Sequence, residues 1–219
     1  NNTIYTIYNY KEIEIMSETS FLTKVIRFFK PYYNPRPKKV KIKHEPDKVQ
    51  KDDLQSIKIL KSKQKLETVW ATGHRPKEGQ YWFYHDATRH EICAFLPKGT
   101  AFSHKGRDDE RRAELKPMLY PKADKAYDRT HLIPYGYHGS ENNAALVVGW
   151  DSDQNRKELR EFEIQVNNIN KSKSIYWMTL LERRPTYATW EYRIFDAESG
   201  KLLDKLQLKL ECKDWSWEI

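Results

Sequence analysis

Between Lys125 and Asn143 the chain reads KAYDRTHLIPYGYHGSENN, which sets an acid, an arginine, a histidine and paired asparagines among strand-like apolar neighbours. A protein interior rejects such groups unless they face a ligand, a metal ion or each other. Chemistry is therefore sought first at Asp128, Arg129, His131 and Asn143. An imidazole, neutral near pH 7, can take a proton from water. A guanidinium can hold a phosphate through charge-assisted hydrogen bonds. Further along, NRKELREFE carries Asn155 and Glu163, an amide and a carboxylate eight residues apart.

The elements that must position these groups follow from periodicity. In AYDRTHLIP, strand alternation sends Asp128, Thr130 and Leu132 to one side and Arg129, His131 and Ile133 to the other. A turn at GYHGSENN leads to a second strand-like run, AALVVGW. The helix that follows has Asp151 or Ser152 as its N-cap and a core stripe of Leu159, Phe162, Val166 and Ile169. Asn155 and Glu163 share the side of Leu159, so both polar groups lie toward the buried face and need a polar partner on the opposing strand. Strand, loop, strand, helix is the layout of a ββα-metal finger.

Around that unit, LETVWATG, QYWFYH and HEICAFLP read as strands, and so do SIYWMTLLE, YATWEYRIFD and KLLDKLQLKLE, the last two joined across DAESGK. Residues 100–125 read as a helical or irregular insertion. The expected class is α+β, a central antiparallel sheet with an embedded ββα finger and flanking helices. His85 and His90 bracket a hairpin turn, and their spacing of five argues against a common face and a metal pair. His138 reads as a loop residue without a task. Trp70, Trp82, Trp177 and Trp190 read as packing residues, with base stacking as the other use of an exposed one.

The balance of 39 Lys+Arg against 31 Asp+Glu, net +8, favours an acidic partner such as nucleic acid or an anionic membrane surface. Cys93 and Cys212 stand far apart outside any CxxC pattern, which argues against a disulfide framework and a thiolate zinc site but leaves a single bridge between them open. Residues 1–60 read as an extension. FLTKVIRFFK (21–30) is a short basic amphipathic helix, suited to docking on the protein or to weak contact with anionic lipid, and a Pro/Lys-rich linker follows it. Residues 61–219 read as the main domain. No signal-peptide core or transmembrane run is legible, so the expectation is a cytoplasmic or non-classically exported chain of bacterial or mobile-element origin, with Met16 as a plausible start.

Asp128, Arg129 and His131 in DRTH, with Asn143, Asn155 and Glu163 behind them, resemble the signature of the DNA/RNA non-specific endonucleases of the His-Me finger class, whose motif is Asp-Arg-Gly-His followed by an Asn-bearing strand and an Asn-bearing helix. The match spans about residues 127–166, and Thr130 stands where the family has glycine. The resemblance implies an Mg²⁺-dependent hydrolase, with Mn²⁺ as a possible substitute, that cuts DNA and RNA. It implies His131 as general base, Asn155 as the one direct metal ligand, and Glu163 holding water of the ion's hydration shell. It further implies Arg129 on the phosphate and Asn143 bracing substrate or the histidine loop, with a second phosphate-binding arginine drawn from Arg107, Arg111 or Arg112. DNA and RNA are the expected partners, and an inhibitor protein is a further partner class left open. Two rival readings stand beside this one. The first is a catalytically silent nucleic-acid-binding module on the same scaffold, and the second is a membrane-peripheral or docking factor served by residues 1–60.

Overall fold

The computed structural model describes residues 57–101, 103, 116–122, 127–141 and 143–218. The basic segment 21–30, the Pro/Lys-rich linker, Arg107, Arg111 and Arg112 lie outside the described residues. The class is α+β, mostly sheet with few helices. Six strands form the main sheet in the order β1 (Lys58–Lys61), β2 (Gln80–His85), β3 (Arg89–Leu96), β7 (Ile175–Arg183), β8 (Tyr187–Asp196), β9 (Leu202–Glu211). Neighbours run antiparallel except β1 and β2, which are parallel. Two small hairpin-like sheets accompany it: β4 (Leu119–Pro121) with β10 (Trp215–Trp217), and β5 (Tyr127–His131) with β6 (Val147–Asp151).

Burial follows position in the sheet. In β3, which lies between β2 and β7, the run His90–Ala94 is buried on both faces, whereas β8 alternates strictly, with Ala188, Trp190, Tyr192 and Ile194 inward. On one face Trp177, Trp190 and Tyr192 pack edge to face with centroids 5.0 to 5.4 Å apart, together with Trp150, Leu159, Phe162 and Val166. Each fully buried large side chain of this kind contributes about 2–3 kcal/mol. The opposite face is a smaller cluster of Leu66, Cys93, Met178 and Leu180. Cys93 and Cys212 are both buried free thiols.

Two sequence expectations are corrected here. LETVWATG forms α1 (Leu66–Ala71), because Leu66 anchors one end in that second cluster and its backbone N–H donates to the buried Glu91 carboxylate at 2.6 Å. β-Branched and aromatic content was outweighed by tertiary contact. His85 and His90 do share a face: they are direct cross-strand partners flanking the β2–β3 turn, with Nδ1 atoms 3.2 Å apart. Spacing along one strand says nothing about facing once the chain has turned back. The strand β1 starts at Lys58, so the compact unit takes in the last residues of the stretch whose composition reads as an extension.

A candidate functional site on the β5–β6 hairpin

The hairpin puts Asp128 opposite Trp150, Arg129 opposite Gly149, Thr130 opposite Val148 and His131 opposite Val147. Gly149 is dictated by space, since a Cβ there would lie 2.5 Å from the Tyr120 Cβ and 2.7 Å from the Tyr127 ring. Those two tyrosines, one on β4 and one on β5, stack with ring centroids 5.5 Å apart. Thr130, where the resembled family has glycine, sits in regular strand pairing and is buried, its hydroxyl donating to the Asp128 carbonyl at 3.2 Å. A β-branched residue is at ease in such a strand.

Immediately after His131 the chain is fastened to the main sheet. Thr179 Oγ1 donates to the Leu132 carbonyl, and the Tyr192 hydroxyl lies 3.5 Å from the His131 carbonyl. The loop that follows is braced at several points. Tyr137 donates to Asn167 Oδ1 at 2.6 Å, tying the 3₁₀ turn Tyr135–Tyr137 to the helix beyond. The backbone N–H of Ser140 donates to His138 Nδ1 at 3.0 Å, so Nε2 carries the proton toward the Ile133 carbonyl at 2.9 Å. His138 is thus a buried, neutral brace, which corrects the reading of it as idle. Asn143 accepts from Ala145 N at 2.9 Å and caps the 3₁₀ turn Ala144–Leu146, so its oxygen serves the loop exit.

This bracing decides how His131 is presented. Its Nε2 lies 3.3 Å from the Ser140 carbonyl and 3.5 Å from Glu141 Oε2. Both partners accept only, so Nε2 carries hydrogen and Nδ1 is the nitrogen with the lone pair. Glu141 is 5% exposed and His131 9%, so the pair is shielded from bulk water. Rings of His138 and Tyr135 complete the surroundings at 5.5 and 5.9 Å.

The helix begins where β6 ends. Asp151 is the N-cap, accepting from Asp153 N and Gln154 N, as its sequence position predicts. A single α-helical turn, α2 (Ser152–Gln154), runs into a π-helical turn at Asn155–Leu159 and then α3 (Arg160–Asn170). The turn holding Asn155 is thus wound more widely than its neighbours. Asn155 Nδ2 donates to Asp128 Oδ2 at 3.2 Å, and Arg156 grips both Asp128 oxygens at 2.9 Å. Burial pushes the Asp128 carboxyl up, but the bonds from Arg156, Asn155 and Ser152 outweigh it and hold it below the ordinary carboxylate range. Glu163 Oε1 lies 3.5 Å from the Tyr192 hydroxyl. Burial, then the Glu163 charge, push that hydroxyl far above the ordinary phenol range, so it stays a neutral donor.

Asn155 is therefore joined to the start of β5 and Glu163 to its end, through one aspartate and one tyrosine. Arg129, between Asp128 and Thr130 on β5, is half-buried. The sequence missed Glu141, Arg156 and Tyr192. Of these only Tyr192 left a local trace, as an inward position of the alternating strand β8.

An Mg²⁺ ion is tested by the donors present. Asp128 has its oxygens taken by Arg156 and Asn155, and Asn155, having spent its N–H, keeps Oδ1 as an oxygen donor. Among the described residues no group of three or more His, Cys, Asp or Glu could hold a metal. Asn155 Oδ1 would give a hard dication such as Mg²⁺ one protein oxygen, with water completing its shell, since the neighbouring Asp128 carboxylate is already engaged. Comparison with protein-family models, curated proteins and solved structures returns no match.

Proposed function

We propose that this protein is an Mg²⁺-dependent endonuclease that hydrolyses phosphodiester bonds of DNA and RNA without sequence preference. The observation that carries the reading is the joint tethering of β5: one end is bonded to Asn155 on the helix, and the other presents an imidazole whose Nε2–H is held by carbonyl and carboxylate acceptors. His131 Nδ1 takes a proton from a water molecule, and the resulting hydroxide attacks phosphorus as the bond to the 3′ oxygen breaks. The departing oxygen takes a proton from solvent and the other product carries a 5′ phosphate. Arg129 binds the phosphate through charge-assisted bonds. Asn155 Oδ1 would hold the ion, and Glu163, which meets the Tyr192 hydroxyl, would accept hydrogen bonds from its water. When bound, Mg²⁺ supplies positive charge to the phosphoryl oxygens.

Binding through phosphates carries no base information and weakens with salt, in keeping with the net charge of +8. The test is incubation of supercoiled plasmid and of RNA with the wild-type chain and His131→Ala in Mg²⁺, with an EDTA control. Degradation of both by wild type alone, abolished by EDTA, is expected. Equal cleavage by the variant overturns the assignment of His131. Nucleic-acid binding without cleavage in any divalent metal selects the silent binding module instead.

A further inference from the structure

We propose that Glu141 is the positioning residue of His131, acting through the imidazole and not on the substrate. The inference rests on the reading of His131 as general base and adds to it the group that makes the ring competent. Glu141 Oε2 lies 3.5 Å from His131 Nε2, and the side chains are 3% and 9% exposed. A carboxylate so far from water is costly unless hydrogen-bond donors or positive charge offset the lost hydration. The imidazole Nε2–H provides a donor at rest. It also provides a full positive charge at the one moment in the reaction when Nδ1 has taken the proton from water.

The geometry separates two duties on one nitrogen. The Ser140 carbonyl, 3.3 Å from Nε2, fixes the tautomer but carries no charge. Glu141 adds the charge that stabilises the imidazolium. Among the described residues, the two rings that adjoin His131 are uncharged. His138 has both nitrogens spent on Ile133 and Ser140, and Tyr135 presents its ring edge-on at 5.9 Å. Glu163 meets the Tyr192 hydroxyl, which also lies 3.5 Å from the His131 carbonyl. The loop that carries Glu141 is pinned at Tyr137 and at His138, which holds the carboxylate in place without borrowing rigidity from the substrate.

The test follows the His131 ring directly, by NMR titration of its carbon-bound protons and nitrogens in the full chain, beside the pH profile of plasmid cleavage. In Glu141→Gln the shape and one acceptor survive and the charge is lost. The expected result is a His131 titration and an acid limb of cleavage that both move to lower pH by about one unit, with the neutral-pH rate falling about tenfold. Glu141→Asp, with its charge kept but one carbon further away, moves both the same way by less. It serves the same test should the amide variant fail to fold. A His131 titration unmoved in both variants overturns the proposal, as does a uniform loss of rate at every pH with no shift of the limb. A wild-type chain that titrates as expected but cuts neither DNA nor RNA defeats the nuclease reading while leaving the Glu141–His131 pairing standing.

Discussion

Among the described residues two pairs of buried histidines lie close together, and they are held differently. His85 and His90 face each other on the β2–β3 hairpin with ring centroids 5.1 Å apart, and their outer nitrogens meet the backbone carbonyls of Glu218 and Ala145. Trp217 stacks on His85 and Phe83 lies beside His90. His131 and His138 have centroids 5.5 Å apart, nearly the same separation. Their surroundings differ: Glu141 adjoins His131, and the strand that carries it is tethered to Asn155 and Glu163 on the helix. Burial of an imidazole is therefore no mark of function by itself. What distinguishes the second pair is a buried carboxylate, Glu141, 3.5 Å from a ring nitrogen.

The contrast can be broken by substitution in either pair. His131→Ala should lower nucleic-acid cleavage per folded molecule by about 10³-fold, within the range for loss of a general base, and should also lower the melting temperature, because it leaves the buried Glu141 carboxylate without its imidazole partner. Assays of plasmid cleavage and thermal melting on the same preparation check both halves. His90→Ala should cost stability alone, about 3 kcal/mol from leaving a cavity and stranding the Ala145 carbonyl, with rate per folded molecule kept. Urea titration measures the loss.

The same pair sets an acid limit on folding. Burial first, and then the neighbouring His85, push His90 down to about 4 against the opposing pull of the Ala145 carbonyl. Because the folded value lies below the unfolded one, near ~6.5, the unfolded chain binds the extra proton between the two. This contribution to stability is whole above about pH 6.5 and drains away as pH falls toward about 4, amounting to about 3 kcal/mol. Urea midpoints across that window should fall in the wild-type chain and stay flatter in His90→Phe.

Smaller effects sharpen the account of β5. Tyr192→Phe should reduce cleavage by about tenfold, since it removes one hydrogen-bond partner of the Glu163 carboxylate without altering the packed ring. Arg156→Ala should cost less than about 1 kcal/mol, because its side chain is 69% exposed and solvent screens the pair with Asp128. A larger loss would mean that Asp128 governs the hairpin more than its exposure suggests.

Periodic features were legible in the sequence. The stripe of Leu159, Phe162 and Val166, the Asp151 cap, and the hairpin joining β8 to β9 all follow from local repeats that the structure keeps. The order of strand, loop, strand and helix around His131 was legible for the same reason. Glu141 was not, since it lies in a loop ten residues past His131 with no period to mark it, and only the bends imposed by His138 and Tyr137 bring it back. Arg156 and Tyr192 were hidden likewise: their partners, Asp128 and Glu163, are 28 and 29 residues away. The helical fate of Leu66–Ala71 depended on an acceptor, Glu91, that lies 25 residues on. Long-range polar contacts of this kind leave no local pattern.

The central claim is that β5 holds an imidazole and a helical amide for one phosphate and one ion. An Mg²⁺ titration of supercoiled-plasmid cleavage, run side by side on the wild-type chain and Asn155→Ala, tests it most directly. The account predicts a variant with a far weaker rate whose Mg²⁺ requirement moves to higher concentration. Superimposable curves for the two proteins would contradict it.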